Sequence, residues 1–322
     1  KVKTFKTIFP AVSVPLNDDY SINEPEFRAY LRWIKTFYGK GMDGLVCNGH
    51  TGEITGLTRA ERKRVVEICA EECGDVMTII SGVNCENTAE SIEMAKEAKE
   101  AGADGILLMP PHMWLRFGMN PDAPFEYVKD VAEGADIDII IHLYPATSKA
   151  FYPVETLIKM CKEIDHVKCI KMGTRVTSIY EHDVRLLRQE CPDISLITCH
   201  DETLCVSWFP GMDGALIGFA GCVPEIICPA REVFANPDKH TLKEAQDWSD
   251  RIYHISQAIY GGGQPSGEAH ARLKEALKQR GIFKSALMRK PVLPLNDEEK
   301  AWVALGLERS QLPEVDMTQF ED

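Results

Sequence analysis

The amino-acid sequence predicts an α/β protein, a (β/α)8 TIM barrel with a C-terminal helical appendage, and three observations support this prediction. A Gly-x-Asp-Gly phrase occurs at residues 41–44, 102–105 and 211–214, each time after a helical pattern and before an apolar run. The spacing corresponds to about 27 to 30 residues per strand–helix unit, as expected for eight units in roughly 250 residues. Short apolar runs and helical segments also alternate along the chain. This alternation favours a parallel barrel, with a doubly wound sheet as the alternative.

The apolar runs are short and continuous, which is typical of parallel strands buried on both faces. Helices are predicted between them from their start signals. Asn23 followed by Glu26 begins the first helix, Thr58 and Glu61 form a capping box for the second, and Pro153 suits the first turn of the fifth. The predicted strands cover residues 8–15, 45–48, 76–83, 106–109, 137–142, 167–171, 194–199 and 215–219.

Strand patterns end near residue 223, so we expect three regions. Residues 1–223 form the barrel, residues 224–290 a helical appendage, and residues 291–322 an acidic, proline-punctuated arm that is partly disordered or carries a short helix over 297–305. A glycine-rich stretch at 261–265 is expected to be flexible. The helices predicted in the appendage cover residues 224–236, 240–260 and 266–280.

Composition excludes several classes of protein. The chain has 322 residues, 44% of them hydrophobic and 26% charged, which is typical of a soluble globular protein. A net charge of −13 without a basic run argues against nucleic acid as a partner. No segment reaches the roughly 18 apolar residues of a membrane span. The eleven scattered cysteines without a C-x-x-C pair indicate reduced thiols and a cytoplasmic location.

Lys171 is the most informative residue, because it lies near the end of the apolar run 167–171. Burial without a counter-charge shifts a lysine toward its neutral form, and a neutral amine can attack a ketone to form a Schiff base. The alternative is a structural lysine paired with a carboxylate at a strand end. The strand pattern alone leaves both interpretations open.

Reactive groups of a barrel gather where strands end and loops begin. The glycines in the turn 49–53 would let backbone N–H groups approach a carboxylate closely, and a threonine hydroxyl adds a donor. A plain turn before a helix is the alternative. Candidate site residues at strand ends are His50, Thr51 and Gly52 after strand two, Tyr144 after strand five, Lys171 in strand six and Gly218 in strand eight.

Three motifs give the chain a family resemblance. They are Gly-His-Thr-Gly-Glu at 49–53, Tyr-Pro-Ala-Thr-Ser-Lys at 144–149 and Ile-Lys-Met-Gly-Thr at 170–174. In this order, over roughly residues 5–290, the sequence resembles the dihydrodipicolinate synthase and N-acetylneuraminate lyase family of class I aldolases. The resemblance implies that Lys171 forms the Schiff base with pyruvate or another 2-keto acid, that Tyr144 transfers protons and that Thr51 holds the carboxylate. It also implies a homotetramer that uses no metal and no organic cofactor.

The sequence departs from the family's pattern at three places. His50 stands where dihydrodipicolinate synthases carry a second threonine, and His112 and Trp114 lie in a segment where they carry a tyrosine. Lys149 replaces the arginine that commonly recognises the distal carboxylate of lysine-biosynthetic members. We therefore expect His50, His112, Trp114 and Lys149 to contact substrate, with a structural role as the alternative for each. The Met-Trp run at 113–114 is similar to that of the family's hydratase-aldolases, which act on aromatic pyruvate adducts.

The expected reaction is aldol cleavage or condensation at the C3–C4 bond of a pyruvate imine, with an aldehyde as the second substrate. Dehydration of a 2-keto-3-deoxy sugar acid and a hydratase-aldolase reaction are the alternatives. A 4-hydroxy-tetrahydrodipicolinate synthase is ranked below these, as is a non-catalytic protein that binds keto acids. A metal-dependent aldolase is also ranked low; it would draw its ligands from Cys47, His50, Glu53, His142, Cys199, His200 and Asp201, which lack a metal-binding spacing.

Overall fold

The strands of the computed structural model, which describes residues 1–261 and 266–322, form a nearly closed parallel barrel. The predicted fold class is confirmed. Hydrogen bonding follows the order β1-β8-β7-β6-β5-β4-β3-β2, and a bridge between Ala11 and Val46 joins the two end strands. The strands are β1 (Ile8–Pro10), β2 (Gly44–Cys47), β3 (Thr78–Val83), β4 (Gly105–Leu108), β5 (Asp138–Leu143), β6 (Val167–Met172), β7 (Ser195–Thr198) and β8 (Gly214–Ile217).

Helices separate the strands and continue after the last one. Asn23 caps the first helix and Thr58 forms the capping box of the second with Glu61, as predicted. The helices are α1 (Glu24–Lys35), α2 (Arg59–Cys73), α3 (Thr88–Ala101), α4 (His112–Phe117), α5 (Ala123–Ala135), α6 (Val154–Glu163), α7 (Thr177–Glu190), α8 (Leu204–Trp208), α9 (Pro224–Ala235), α10 (Leu242–Tyr260), α11 (Gly267–Gln279) and α12 (Asp297–Arg309).

The first strand is shorter than predicted. It pairs only over Ile8–Pro10, whereas the apolar run extends to residue 15. Val12 and Val14 are buried among the residues packed against the helices, so their hydrophobicity reflects core packing rather than pairing in the sheet. The continuous apolar run therefore predicted burial correctly but overestimated the length of the strand.

Two apolar clusters stabilise the fold. One fills the barrel interior, where Phe9, Ile80, Leu107 and Ile140 are buried with side chains from the other strands. The larger cluster lies between the strands and the surrounding helices and extends to Val303 in α12. Because side chains fill the interior, the barrel is not a pore, and a substrate can be held only where the strands end.

The C-terminal helices pack against the rest of the chain. A Cβ atom on Gly306 would lie 2.7 Å from the Cβ of Ala258, so α12 approaches α10 closely. The Ser310 hydroxyl donates to the Arg251 carbonyl over 2.6 Å. Helix α12 extends to Arg309, beyond the short helix predicted over 297–305. The stretch at 262–265, which falls within the predicted flexible loop, lies outside the described residues.

The three helices predicted after the barrel correspond to α9, α10 and α11, within one or two residues at each end. The boundary predicted after residue 223 falls between β8 and α9. Among the helices of the described residues, none is long and apolar enough to cross a membrane.

Candidate active site

A cavity of about 540 Å³ lies at the carboxyl ends of the strands. Strand ends provide most of its wall, and the start of α11 covers one side. Its polar lining residues are His50, Thr51, His142, Tyr144, Ser148, Lys171, Arg175, Cys199, Asp201, Glu202, Tyr260, Ser266 and His270. Its apolar lining comes from Ala11, Leu107, Leu115, Leu143, Pro145, Leu216, Ile217 and Ala269.

Lys171 projects into this cavity from β6, where it pairs with His142 of β5 and Ile197 of β7. Within residues 1–261 and 266–322, the structure records no hydrogen bond or ion pair for its amine. Burial is the largest influence on the pKa of Lys171 and lowers it below the ordinary value; Cys199 and Asp201 oppose this shift in part. The interpretation of Lys171 as one half of a salt bridge therefore finds no carboxylate partner in the described chain. A lysine in this setting gives up its proton more readily than an exposed one.

Tyr144, His50 and His142 form a cluster beside Lys171. The Tyr144 hydroxyl lies 3.4 Å from Nε2 of His50, and the Tyr144 and His142 rings lie 4.8 Å apart in an edge-on arrangement. Burial lowers the pKa of His50 to about 3 and that of His142 well below its ordinary value, and the nearby Lys171 adds to both shifts. Burial raises the pKa of Tyr144. At neutral pH this cluster holds two uncharged imidazoles and a protonated phenol, which can relay a proton without carrying a net charge.

Residues of the C-terminal region contact the turn 49–53 and fix its position. Glu53, at a left-handed φ of 60°, accepts a hydrogen bond from the Lys274 ammonium over 2.8 Å and one from the backbone N–H of Arg289 over 2.9 Å. Lys274 also donates to the Leu287 carbonyl over 2.7 Å. Side chains of the Glu53–Lys274 pair are almost fully buried, with 9% and 2% of their surface exposed. This buried ion pair fixes the turn that carries Thr51 to helix α11.

Thr51 and Gly218 meet across the cavity wall. A Cβ atom at Gly218 would lie 2.5 Å from Oγ1 of Thr51, so only glycine fits there without displacing the threonine. Gly52 does not line the cavity. A Cβ atom at Gly52 would lie 3.0 Å from the Val12 carbonyl oxygen, so this glycine allows the turn to pack against the segment after β1.

Arg175 follows β6 and joins the ends of two strands. Its Nε atom donates to Glu202 over 2.8 Å, and its terminal nitrogens donate to the carbonyls of Gly173 and Cys199 over 2.9 and 3.1 Å. Next to this pair, burial and the Glu202 carboxylate raise the pKa of Asp201 to about 6, while Arg175 lowers it in part. This side of the cavity therefore holds two carboxyl groups and one guanidinium.

Besides Gly52, three predicted substrate-binding residues lie outside the cavity wall. Trp114 is buried against Tyr127 and Tyr152, with ring centroids 5.6 and 6.2 Å away. The backbone N–H of His112 donates to the Glu86 carboxylate, and the Lys149 ammonium donates to the Arg116 carbonyl over 3.3 Å. From helix α4 it is Leu115, the neighbour of Trp114, that lines the cavity.

Sequence reasoning missed four ionisable lining residues, Arg175, Glu202, Tyr260 and His270. Arg175 and Glu202 follow β6 and β7 closely, so the rule that reactive groups lie at strand ends could have found them. Tyr260 and His270 come from the C-terminal helices, and no local pattern marks them. Burial lowers the pKa of His270 to about 4. Among the described residues, no group of three or more His, Cys, Asp and Glu side chains is arranged to hold a metal ion.

Comparison with known proteins gives the family. The Dihydrodipicolinate synthetase family profile matches residues 4–309. A 4-hydroxy-tetrahydrodipicolinate synthase from Bartonella bacilliformis is 26% identical over 309 residues, which cover 95% of this chain and 98% of that protein. One from Helicobacter pylori strain P12 is 26% identical over 322 residues, covering 97% of each.

Solved structures share the fold. Crystalline YagE from E. coli K12, a prophage protein of the dihydrodipicolinic acid synthase family in complex with pyruvate, superposes with a TM-score of 0.85 at 21% identity, covering 96% of this chain and 99% of that one. The Aquifex aeolicus dihydrodipicolinate synthase superposes with a TM-score of 0.84 at 19% identity, covering 97% and 100%. The chain belongs to the dihydrodipicolinate synthetase family and is an enzyme of its lyase type.

Proposed function

We propose that the protein is a class I aldolase in which Lys171 forms a Schiff base with pyruvate or another 2-keto acid. The observation that carries this proposal is an amine that faces a cavity at the end of β6 and has no counter-ion within the described ranges. Its lowered pKa increases the neutral fraction that attacks the C2 carbonyl. The pyruvate bound to YagE, a protein of the same fold, supports a three-carbon keto acid as the first substrate.

In the proposed reaction the amine adds to C2, and water leaves to give a protonated imine. Loss of a proton from C3 gives an enamine, which adds to the carbonyl carbon of an aldehyde while the aldehyde oxygen takes up a proton. Hydrolysis of the imine then releases the product and the free amine. Cleavage is the reverse sequence, and dehydration of a 2-keto-3-deoxy sugar acid would start from the same imine.

Two neighbours of Lys171 have proposed roles in these steps. Tyr144 moves protons between the carbinolamine and the substrate oxygen, and its contact with His50 orients the hydroxyl. Thr51 and the backbone of its turn hold the keto-acid carboxylate and direct C2 toward the amine. The close approach of Gly218 to Thr51 limits the positions that the threonine can take. No step requires a metal ion or an organic cofactor.

Synthesis of 4-hydroxy-tetrahydrodipicolinate is the second candidate, because the relatives cited above carry that name. We rank it lower because Lys149, which stands in for the carboxylate-binding arginine of that reaction, contacts the Arg116 carbonyl outside the cavity wall. A hydratase-aldolase reaction on aromatic adducts loses its main support, since Trp114 is buried away from the cavity.

Trapping with borohydride tests the imine. Wild-type protein incubated with pyruvate and borohydride should lose activity irreversibly and gain the mass of reduced pyruvate at Lys171. The Lys171→Ala variant should not be labelled. The matched control is Lys168→Ala, which removes an exposed lysine from the same strand and should leave labelling intact. Labelling of the Lys171→Ala variant, or of another lysine in the wild type, would overturn the mechanism.

We also propose a homotetramer in the cytoplasm. Family resemblance supports the assembly, although one solved relative is described as a monomeric dihydrodipicolinate synthase variant. All eleven cysteines are unpaired, which supports a reducing compartment. Sedimentation velocity at micromolar concentration should give a single species of four chains, and a monomer would refute the assembly.

A further inference from the structure

The Arg175 guanidinium is already paired with a carboxylate and bonded to other acceptors of the protein. Of its five N–H donors, one is bonded to Glu202, one to the Gly173 carbonyl, and two to the carbonyl and sulfur of Cys199. The Glu202 side chain is 7% exposed, so this carboxylate is held in place rather than exchanging with solvent. Arg175 is the only guanidinium among the described lining residues of the cavity. A substrate carboxylate could therefore reach only the one remaining N–H of Arg175 unless it displaced one of these acceptors.

The remaining polar wall does not favour a second anion. His50 and His270 are uncharged at neutral pH, since burial lowers their pKa values to about 3 and about 4. Asp201 is largely ionised there, because its pKa is about 6. Thr51 and its turn are engaged by the carboxylate of the keto acid in the proposed function. A carboxylate elsewhere on the second substrate would therefore face carboxylates and neutral groups, which is unfavourable.

Two buried neutral groups in the same wall lack hydrogen-bond partners among the described residues. Nδ1 of His142 and the hydroxyl of Tyr260 make no hydrogen bond with any described residue, although both residues are more than nine-tenths buried and line the cavity. Tyr260 lies near Asp201, so a bound group there would also meet an acceptor. Buried polar atoms without partners are costly, and a ligand hydroxyl can satisfy them.

We propose that Glu202 sets the specificity for the second substrate. By holding Arg175, it excludes aldehydes that carry a carboxylate, and the cavity accepts an uncharged aldehyde whose hydroxyl groups bond to His142 and Tyr260. This inference rests on the proposed aldolase function and narrows its substrate class. It separates the protein from an enzyme that condenses pyruvate with an acidic aldehyde.

The test compares three aldehydes with pyruvate: D-glyceraldehyde, which is uncharged and hydroxylated; propionaldehyde, which lacks the hydroxyls; and succinic semialdehyde, which carries a carboxylate. Wild-type kcat/KM should be at least about tenfold higher for glyceraldehyde than for either alternative. Glu202→Gln frees the guanidinium charge and should raise the ratio of succinic semialdehyde to glyceraldehyde by about tenfold or more. The control Glu181→Gln removes the partner of the exposed Arg185 on α7 and should leave the ratio unchanged.

A second variant keeps the test decisive if Glu202→Gln does not fold. Tyr260→Phe should lower kcat/KM for glyceraldehyde about tenfold while leaving propionaldehyde unaffected. Preference of the wild type for succinic semialdehyde, an unchanged ratio in folded Glu202→Gln, or equal losses for both uncharged aldehydes in Tyr260→Phe would overturn the inference. Borohydride labelling of Lys171 by pyruvate distinguishes failure of the specificity inference from failure of the proposed aldolase function. If labelling succeeds but glyceraldehyde does not react, only the specificity inference fails, whereas absent labelling defeats the aldolase function itself.

Discussion

Glu53→Gln is the substitution with the most sharply defined effect on stability. It keeps the size of the side chain but removes the charge that faces the Lys274 ammonium, which is 2% exposed. The remaining carbonyl of Leu287 does not neutralise a buried cation. Lys274 must then stay charged without a counter-ion or lose its proton on folding.

Loss of the Lys274 proton on folding sets an upper bound on how much Glu53→Gln can lower the free energy of unfolding. Releasing a proton at pH 7 from a lysine of ordinary pKa costs about 4.6 kcal/mol. Breaking one side of a buried ion pair generally costs about 3–5 kcal/mol, a range that overlaps this bound. We therefore expect Glu53→Gln to lower the free energy of unfolding by at least about 3 kcal/mol and by no more than the bound of about 4.6 kcal/mol. Glu181→Gln, which breaks an exposed pair on α7, should cost less than about 1 kcal/mol.

Urea unfolding at pH 7, followed by circular dichroism, measures both variants, and the same samples are assayed for pyruvate labelling. Because Glu53 fixes the turn that carries Thr51, the KM for pyruvate should rise in Glu53→Gln even at temperatures where the protein stays folded. A change below about 1 kcal/mol, similar to that of the exposed control, would show that the pair contributes no more than a surface salt bridge and would refute the argument.

Three further predictions concern the cavity. Tyr144→Phe should retain slow borohydride labelling but lose turnover by about 10²-fold or more, as measured by kcat, and full turnover would exclude proton transfer by this hydroxyl. Gly218→Ala should push the Thr51 side chain aside and raise the KM for pyruvate about tenfold or more with a smaller change in kcat; an unchanged KM would show that Thr51 does not hold the carboxylate. Labelling of Lys171 should increase with pH as the amine loses its proton, and the increase should occur at lower pH than for an exposed lysine because its pKa is lowered; a profile matching that of an exposed lysine would contradict the role of burial.

The sequence was most informative where one physical rule decides the outcome. Burial of parallel strands on both faces produces continuous apolar runs, so all eight strands could be located, and the carboxyl ends of all but β1 could be identified within two residues. Lys171, Tyr144, Thr51 and Gly218 follow from those ends, and the structure brings all four to one cavity. Their chemical roles remain proposals, but their proximity was predictable.

The rest of the site depends on tertiary packing. Tyr260 and His270 reach the cavity only because α10 and α11 cross the barrel mouth, and no local pattern shows where a helix will dock. Trp114 and Leu115 are neighbours in the six-residue helix α4, and successive helical side chains point about 100° apart. So short a helix gives too little periodicity to determine which of the two faces the substrate.

Helix α11 links stability to substrate recognition. His270 and Lys274 are four residues apart, so they lie on the same side of the helix, one turn from each other. His270 lines the cavity, and Lys274 binds Glu53 in the turn that carries Thr51. Any displacement of this helix moves two walls of the pocket at once. Sequence changes in the C-terminal segment can therefore alter the proposed binding of the keto acid without changing a residue that is proposed to react.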